Sequence, residues 1–178
     1  MFTLGFGPYQ VLCLNDGLPE MLAEYVNRAA LADQVDLRNP EGKFCFIAVK
    51  RLGDGWPALV VAQRYQPAGG GFFPGALIVP ETDRLFVGAG TRLLCYDLAG
   101  PARLWEGSAE CAFWSWRHDG SEVFMAAELE LTGFDTSGQQ LWTRFVEPPW
   151  DFNLEGDRVI LDVMGSITHL DRRSGRPL

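Results

Sequence analysis

Histidine is the side chain best suited to acid–base chemistry near neutral pH, and this sequence of 178 residues contains two. His118 lies in the segment 117–120, Arg-His-Asp-Gly, which is typical of a hairpin turn with a solvated histidine. His169 is predicted on a strand, alternating with Ile167 and Asp171. Because no Gly-x-Ser-x-Gly elbow accompanies either histidine, the residues favour structural roles for both.

Paired carboxylates are the second chemical candidate. Glu128 and Glu130 are two residues apart and are predicted on one face of a strand, with Leu129 and Leu131 on the other. Such a pair could act as an acid–base couple or bind a hard cation. We favour a solvated outer face with the leucines inward.

Cysteines and glycine-rich segments give no sign of a metal or a cofactor. The four cysteines form no Cys-x-x-Cys pair, and each stands in an apolar, strand-like run, which predicts buried free thiols; they are Cys13, Cys45, Cys95 and Cys111. The glycine-rich segments 69–71 and 88–90 lack the Lys-Ser/Thr pair and the following helix of a phosphate loop. We therefore predict no cofactor and no metal.

Aromatic residues suggest a binding surface instead. In the segment 113–116, Phe-Trp-Ser-Trp, alternation predicts Trp114 and Trp116 on one strand face and Phe113 on the other. Core packing explains most of the aromatic residues. A sharper hypothesis is that some lie at strand ends and form, with nearby glutamates, a face for a basic protein partner. The predicted members of this partner face are Phe73, Trp116, Glu128, Glu130, Glu147 and Trp150.

Composition narrows the possible partners. The chain has 15 Lys and Arg against 23 Asp and Glu, a net charge of −8, which argues against a nucleic-acid-binding surface. No stretch of about 18 apolar residues predicts a membrane span. The first six residues lack the basic segment of a secretion signal, so we expect a cytoplasmic protein.

The first 75 residues show no repeat. Short strands are predicted at 3–6 and 10–14, followed by a helix capped by Asn15 or Asp16. The apolar face of this helix comprises Leu18, Leu22, Tyr25, Val26 and Ala29 or Ala30. Residues 43–50 and 57–65 form a predicted hairpin, almost continuously apolar and therefore buried on both faces, and 68–71 is a predicted loop.

From about residue 76 the chain repeats with a period of about 37 residues. Each unit ends a strand with Asp, turns at a Gly and, in the first two copies, begins the next strand with Leu-Trp. The Asp residues are Asp97, Asp135 and Asp171; the glycines are Gly100, Gly138 and Gly175; the tryptophans are Trp105 and Trp142. The Asp side chain is expected to accept hydrogen bonds from backbone amides of the turn, and the Gly to supply a positive φ.

This pattern resembles the blades of PQQ-like (quinoprotein-type) β-propeller repeats. The resemblance rests on Tyr96-Asp97-x-x-Gly100 and on Phe134-Asp135-x-x-Gly138-x-x-Leu141-Trp142, and covers residues 76–178 in three copies. It implies a mainly β fold, a partial or small β-propeller-like array of antiparallel sheets, to which the N-terminal region adds one predicted helix. The repeats carry no residues dedicated to a quinone, so none is expected. We expect a single domain, residues 1–178, in which four blades close a small ring or form an open arc covered by the N-terminal region.

Three functions remain open. The residues favour a non-catalytic β-repeat module that binds a protein, including an acidic inhibitor or immunity-type protein directed at a basic partner. The first alternative is a module that binds a small molecule or a glycan through its tryptophans. The second alternative is an enzyme with a carboxylate/His site.

Overall fold

A computed structural model of the chain describes residues 2–67 and 73–178, so the loop predicted at 68–71 lies outside the described residues.

Four β-sheets follow one another along the chain, and we call them blades 1 to 4. Blade 1 contains β1 (Phe2–Phe6), β2 (Tyr9–Asn15), β3 (Leu31–Val35), β4 (Lys43–Arg51) and β5 (Leu59–Tyr65), together with the helix α1 (Leu22–Arg28). Blade 2 contains β6 (Gly75–Val79), β7 (Arg84–Ala89), β8 (Arg92–Asp97) and β9 (Ala102–Ser108). Blade 3 contains β10 (Phe113–Asp119), β11 (Glu122–Ala127), β12 (Glu130–Asp135) and β13 (Gln140–Phe145). Blade 4 contains β14 (Trp150–Glu155), β15 (Arg158–Val163) and β16 (Ser166–Asp171).

Blades 2 to 4 confirm the repeat. Blades 2 and 3 are four-stranded antiparallel meanders, and blade 4 has three strands with an isolated bridge from Leu170 to Pro177. Blades 2 and 3 also share a register shift between their third and fourth strands, at Cys95/Tyr96 and at Gly133/Phe134. The predicted mainly β, propeller-like array with one N-terminal helix is therefore confirmed.

Blade 1 is a variant of the same meander. Its strands β1, β2, β4 and β5 pair in antiparallel order, and α1 and β3 are inserted between β2 and β4. The predicted hairpin is confirmed as β4 and β5, and the middle of β4 and nearly all of β5 are buried. Strand β3, which pairs in parallel with β5, was missed by the sequence analysis.

The helix differs from its prediction at the N-terminus. It begins at Leu22 with Met21 as N-cap, because β2 stays paired through Asn15, opposite Cys45, and Asp16 has a φ of 64°. Asp16 instead forms an ion pair with Lys43, 3.2 Å away. The predicted apolar face is confirmed in part, since four of its residues pack on the outer side of blade 1: Leu18, Leu22, Tyr25 and Ala29.

The core consists of layers between consecutive blades. Buried side chains form one cluster between blades 1 and 2, a second between blades 2 and 3, and a third between blades 3 and 4. Within residues 2–67 and 73–178, no such cluster joins blade 4 to blade 1. The blades therefore form an open arc, and α1 covers the outer face of its first blade.

The Asp–Gly–Trp pattern links each blade to its neighbour. The Trp105 indole in blade 2 donates to the Gly138 carbonyl in blade 3 at 2.7 Å, and Trp142 in blade 3 donates to the Arg172 carbonyl in blade 4 at 2.9 Å. Gly138 has a φ of 95°, and a Cβ there would lie 2.9 Å from the Cys95 sulfur. The glycine at this turn is thus required both by the backbone conformation and by Cys95 and Trp105 of the preceding blade, the latter 3.3 Å from the same Cβ position.

The turn aspartates accept hydrogen bonds as the sequence predicts. Asp135 accepts from the amides of Ser137 and Gln139, both at 2.9 Å, and Asp171 accepts from the amide of Ser174 at 2.8 Å. Burial by itself would raise the pKa of Asp135, but bonds from the Ser137 hydroxyl and from backbone amides together lower it below its ordinary value. Hydrogen bonds from the Ser174 hydroxyl and amide likewise lower the pKa of Asp171.

These lowered pKa values predict acid sensitivity of the fold. A carboxylate whose pKa is lower in the folded chain than in the unfolded chain stabilises the fold at pH values above its unfolded pKa of about 3.9. This stabilisation is lost as the pH falls through the pKa of the folded chain. We expect the difference in unfolding free energy between the wild type and Asp135→Asn to shrink between about pH 5 and pH 2. Urea unfolding of both proteins at a series of pH values measures this difference. A difference that grows towards low pH would contradict the lowered pKa of Asp135.

Candidate functional site

Five of the six residues of the predicted partner face lie at one end of the blades, and Trp116, opposite Met125, lies in the middle of β10. The strands β6, β10 and β14 begin at this end. Their first residues pair with the last residues of β7, β11 and β15, as in Gly75 opposite Gly88 and Phe113 opposite Ala127. We call it the strand-start end. Phe73 precedes β6, Glu147 precedes β14, and Glu128 lies in the turn between β11 and β12. Strand directions alone therefore bring five of the predicted residues to the same end.

Phe73 and Trp116 border one groove between blades 2 and 3. Its volume is about 430 Å³, and Pro74, Trp114 and Ser115 are among its walls. Phe73 is 73% exposed, and Trp116 packs on Phe113 at a ring distance of 5.4 Å. We call this groove the blade 2–3 pocket. The structure thus brings two of the predicted residues together at an accessible aromatic surface.

The two tryptophans of β10 point to opposite faces, which corrects the predicted shared face. A register shift between Phe113 and Ser115 places an extra residue in β10, so that Phe113 and Trp116 pack into the core between blades 2 and 3. Trp114 packs into the next core, between blades 3 and 4. A bulge reverses the alternation that holds in a regular strand, and this is the physical reason for the difference.

Trp150 is a core residue at the edge of the predicted face. Its side chain is 8% exposed, its ring stacks on Trp114 at 5.2 Å, and its indole donates to the Glu128 carbonyl at 3.0 Å. Trp150 therefore joins the turn that contains Glu128 to the core between blades 3 and 4.

The three predicted glutamates have different environments. Glu130 accepts hydrogen bonds from the Glu110 amide at 2.8 Å and from the Thr143 hydroxyl at 2.9 Å, so its carboxylate already joins β13 to the segment between blades 2 and 3. Glu128 lies in a turn, not on a strand face beside Glu130 as predicted. Within the described part of the chain, the Glu128 and Glu147 carboxylates form no ion pair. Their part in partner binding stays a prediction.

Neither histidine lines the blade 2–3 pocket, and three of the four cysteines are buried. His118 is on β10, with its Nε2 3.0 Å from the Gly120 carbonyl. Because β10 continues to Asp119, the hairpin tip is one residue later than predicted. His169 is exposed on β16. Burial raises the pKa of the Cys13 thiol to about 11 and that of Cys95 to about 12, which makes both unreactive near neutral pH.

Cys111 corrects the prediction that all four thiols are buried. It is exposed, because it lies in the turn between β9 and β10, where its φ is 64°. Cys13, Cys45 and Cys95 are buried and free, as predicted.

Trp105 and Trp116 both pack between blades 2 and 3 but differ in their hydrogen bonds. Replacing each by phenylalanine therefore tests what the Trp105 hydrogen bond contributes to stability. The buried Trp116 indole nitrogen has no hydrogen-bond partner among the described residues, whereas Trp105 donates to Gly138. We expect Trp105→Phe to destabilise the fold by about 1–3 kcal/mol more than Trp116→Phe, because only the former leaves a carbonyl unpaired. Chemical denaturation measures both; equal losses would contradict this account.

No group of three or more potential metal ligands occurs in residues 2–67 and 73–178, and no helix there has the length and apolar character needed to cross a membrane. Sequence reasoning predicted the strand at 3–6 but did not place it, or Ser115 and Pro74, at this end of the molecule. Alternation of Phe2, Leu4 and Phe6 was a signal that could have indicated the apolar face of this strand.

Comparison with known proteins gives a partial likeness in fold. No protein-family model and no curated protein matches the chain. Solved structures that resemble it include BamB from Moraxella catarrhalis (19% identity, TM-score 0.44, 58% of this chain and 35% of that one) and the HIRA fragment 644–1017 (16%, 0.42, 62% and 39%). The computationally designed protein Ika4 also resembles it (15%, 0.47, 64% and 75%). The chain spans little more than a third of the length of BamB, and at these identities and TM-scores the likeness carries no argument about activity or partners.

Proposed function

We propose that this chain is a non-catalytic protein-interaction module, built from PQQ-like repeats, that binds a protein partner at the strand-start end of blades 2 to 4. The observation that carries the proposal is the blade 2–3 pocket, in which the exposed Phe73 stands beside Trp116. An accessible aromatic side chain next to a groove is typical of the anchor positions of protein interfaces.

Charge supports a basic partner. The chain has a net charge of −8, and Glu128 and Glu147 lie at the same end as the pocket without internal ion pairs among the described residues. A partner with lysine or arginine would gain electrostatic attraction during approach. A more specific hypothesis is that the module is an acidic inhibitor or immunity-type protein that covers a basic surface of its target. The cytoplasmic location predicted from the sequence stays a prediction.

Site-specific photocrosslinking tests the proposal in cells of the source organism. A photoreactive phenylalanine analogue is placed at Phe73, and, in the control, at Leu104, which is 44% exposed on the peripheral strand β9. We expect one protein to be crosslinked from position 73 and not from position 104. No adduct from position 73, or identical adducts from both positions, would overturn the proposal.

A further inference from the structure

Two apolar pockets lie on opposite sides of one strand at the strand-start end. The first is the blade 2–3 pocket. The second, which we call the blade 1–2 pocket, has a volume of about 210 Å³ and is lined by Phe2, Leu4, Phe6, Cys13 and Cys45. Pro74, Gly75 and Ala76, at the start of β6, border both pockets.

We infer that the partner contributes an extended segment that pairs with the free edge of β6. Successive side chains of a strand point to opposite faces of its sheet, so two consecutive apolar residues of this segment would enter the two pockets. A lysine or arginine next to them would face Glu128 and Glu147. This inference rests on the proposed function and specifies how the partner is recognised.

The edge of β6 is open to such pairing. In the described part of the chain β6 pairs with β7 alone, and Gly75, Ala76 and Leu77 are half-buried. Strand β6 contains neither a charged residue nor a proline, the features that usually protect an edge strand from added strands. Its backbone can therefore offer hydrogen bonds between the two pockets.

Contacts around the blade 2–3 pocket place the negative charge beside it. The Glu128 amide donates to the Ala112 carbonyl at 2.8 Å, two residues before Trp114, and the Val146 amide donates to the Leu129 carbonyl at 3.0 Å. The segments that carry Glu128 and Glu147 are therefore adjacent at the strand-start end of blade 3, the blade that contributes Trp114, Ser115 and Trp116 to this pocket. A second copy of this chain would bring a net charge of −8 to this rim, so the charges favour a partner segment that is basic.

Peptide selection tests the recognition mode directly. A phage-displayed library of random nine-residue peptides is selected against the full chain, and the enriched peptide is synthesised with a fluorescent label. We expect two adjacent large apolar residues beside a lysine or arginine. Methylation of backbone nitrogens at alternate positions should abolish binding, whereas methylation at the intervening positions should be tolerated, since only one set of amides faces β6.

Substitutions in the pockets provide the second arm of the test. Ser115→Arg should obstruct the blade 2–3 pocket and Leu4→Arg the blade 1–2 pocket, and each should weaken the peptide at least about tenfold, or 1.4 kcal/mol. Glu128→Gln with Glu147→Gln should weaken it several-fold at low salt. Leu104→Arg is the control and should leave affinity unchanged. Thermal unfolding of each variant verifies that it is folded.

The outcomes separate this inference from the proposed function. Failure of the library to enrich any peptide, or affinity insensitive to backbone methylation and to both arginine substitutions, overturns strand addition at β6. Neither result affects crosslinking of a partner from Phe73, which tests the proposed function by itself.

Discussion

Replacing Trp142 by alanine is expected to lower the free energy of unfolding by about 3–5 kcal/mol, the usual cost of removing a large aromatic side chain from a core. The indole is 8% exposed, lies 6.1 Å from the Phe124 ring and donates to the Arg172 carbonyl in blade 4. A Cβ on Gly133 or on Gly175 would come within 2.7 Å or less of its ring, so the ring fills the space between two glycines. Guanidinium unfolding followed by circular dichroism measures the loss.

The conservative variant distinguishes packing from hydrogen bonding at this position. Trp142→Phe keeps most of the apolar contact but leaves the Arg172 carbonyl without its donor, so we expect a smaller loss of about 1–3 kcal/mol. Leu104→Ala, on the exposed part of β9, should change stability by less than about 0.5 kcal/mol. A loss for Trp142→Ala no larger than that of Leu104→Ala would show that Trp142 does not join blades 3 and 4.

Replacing Gly138 by alanine should destabilise the fold by about 2–3 kcal/mol. The residue has a φ of 95°, a region that costs a residue with a side chain about 1–3 kcal/mol. The added Cβ would also lie 2.9 Å from the Cys95 sulfur and 3.3 Å from the Trp105 nitrogen. Urea unfolding measures this loss. Stability is the appropriate measurement because the turn is remote from the candidate site.

The equivalent glycine of the preceding repeat is the matched control. A Cβ on Gly100 would meet no atom within 4 Å, and Gly100 is absent from the glycines with positive φ in the described chain. Gly100→Ala should therefore be neutral or stabilise the fold by about 0.4–1 kcal/mol, through the lower entropy of the unfolded chain. Equal losses at positions 100 and 138 would contradict the assignment. The prediction that every repeat glycine supplies a positive φ is wrong at Gly100.

The local features of the repeat could be predicted because they depend on neighbouring residues. Alternating apolar residues predict strands, and an aspartate can bond amides two to four residues later, as at Asp135 and Asp171. The pairing of β3 with β5 could not be predicted in this way, because a parallel partner is distant in sequence. The start of α1 was misplaced for a related reason: pairing of Asn15 with Cys45 extends β2 beyond its local signal.

The candidate site shows the same division. Five of the six predicted residues lie at one end of the blades because each precedes or begins a strand or lies in a turn, which can be inferred from the sequence. Their environments could not be inferred. The bulge between Phe113 and Ser115 reverses the faces of the two tryptophans, and hydrogen bonds from Glu110 and Thr143 occupy the Glu130 carboxylate.

The amino-acid sequence by itself determined the period of the repeat, the turn chemistry of its aspartates and the net negative charge of the chain. Those properties follow from residue types and short-range spacing. Only the tertiary structure decided that the four blades form an open arc, that α1 covers blade 1 and that the two pockets flank β6. Each of these depends on which sheet faces pack together, and side chains far apart in sequence determine that packing.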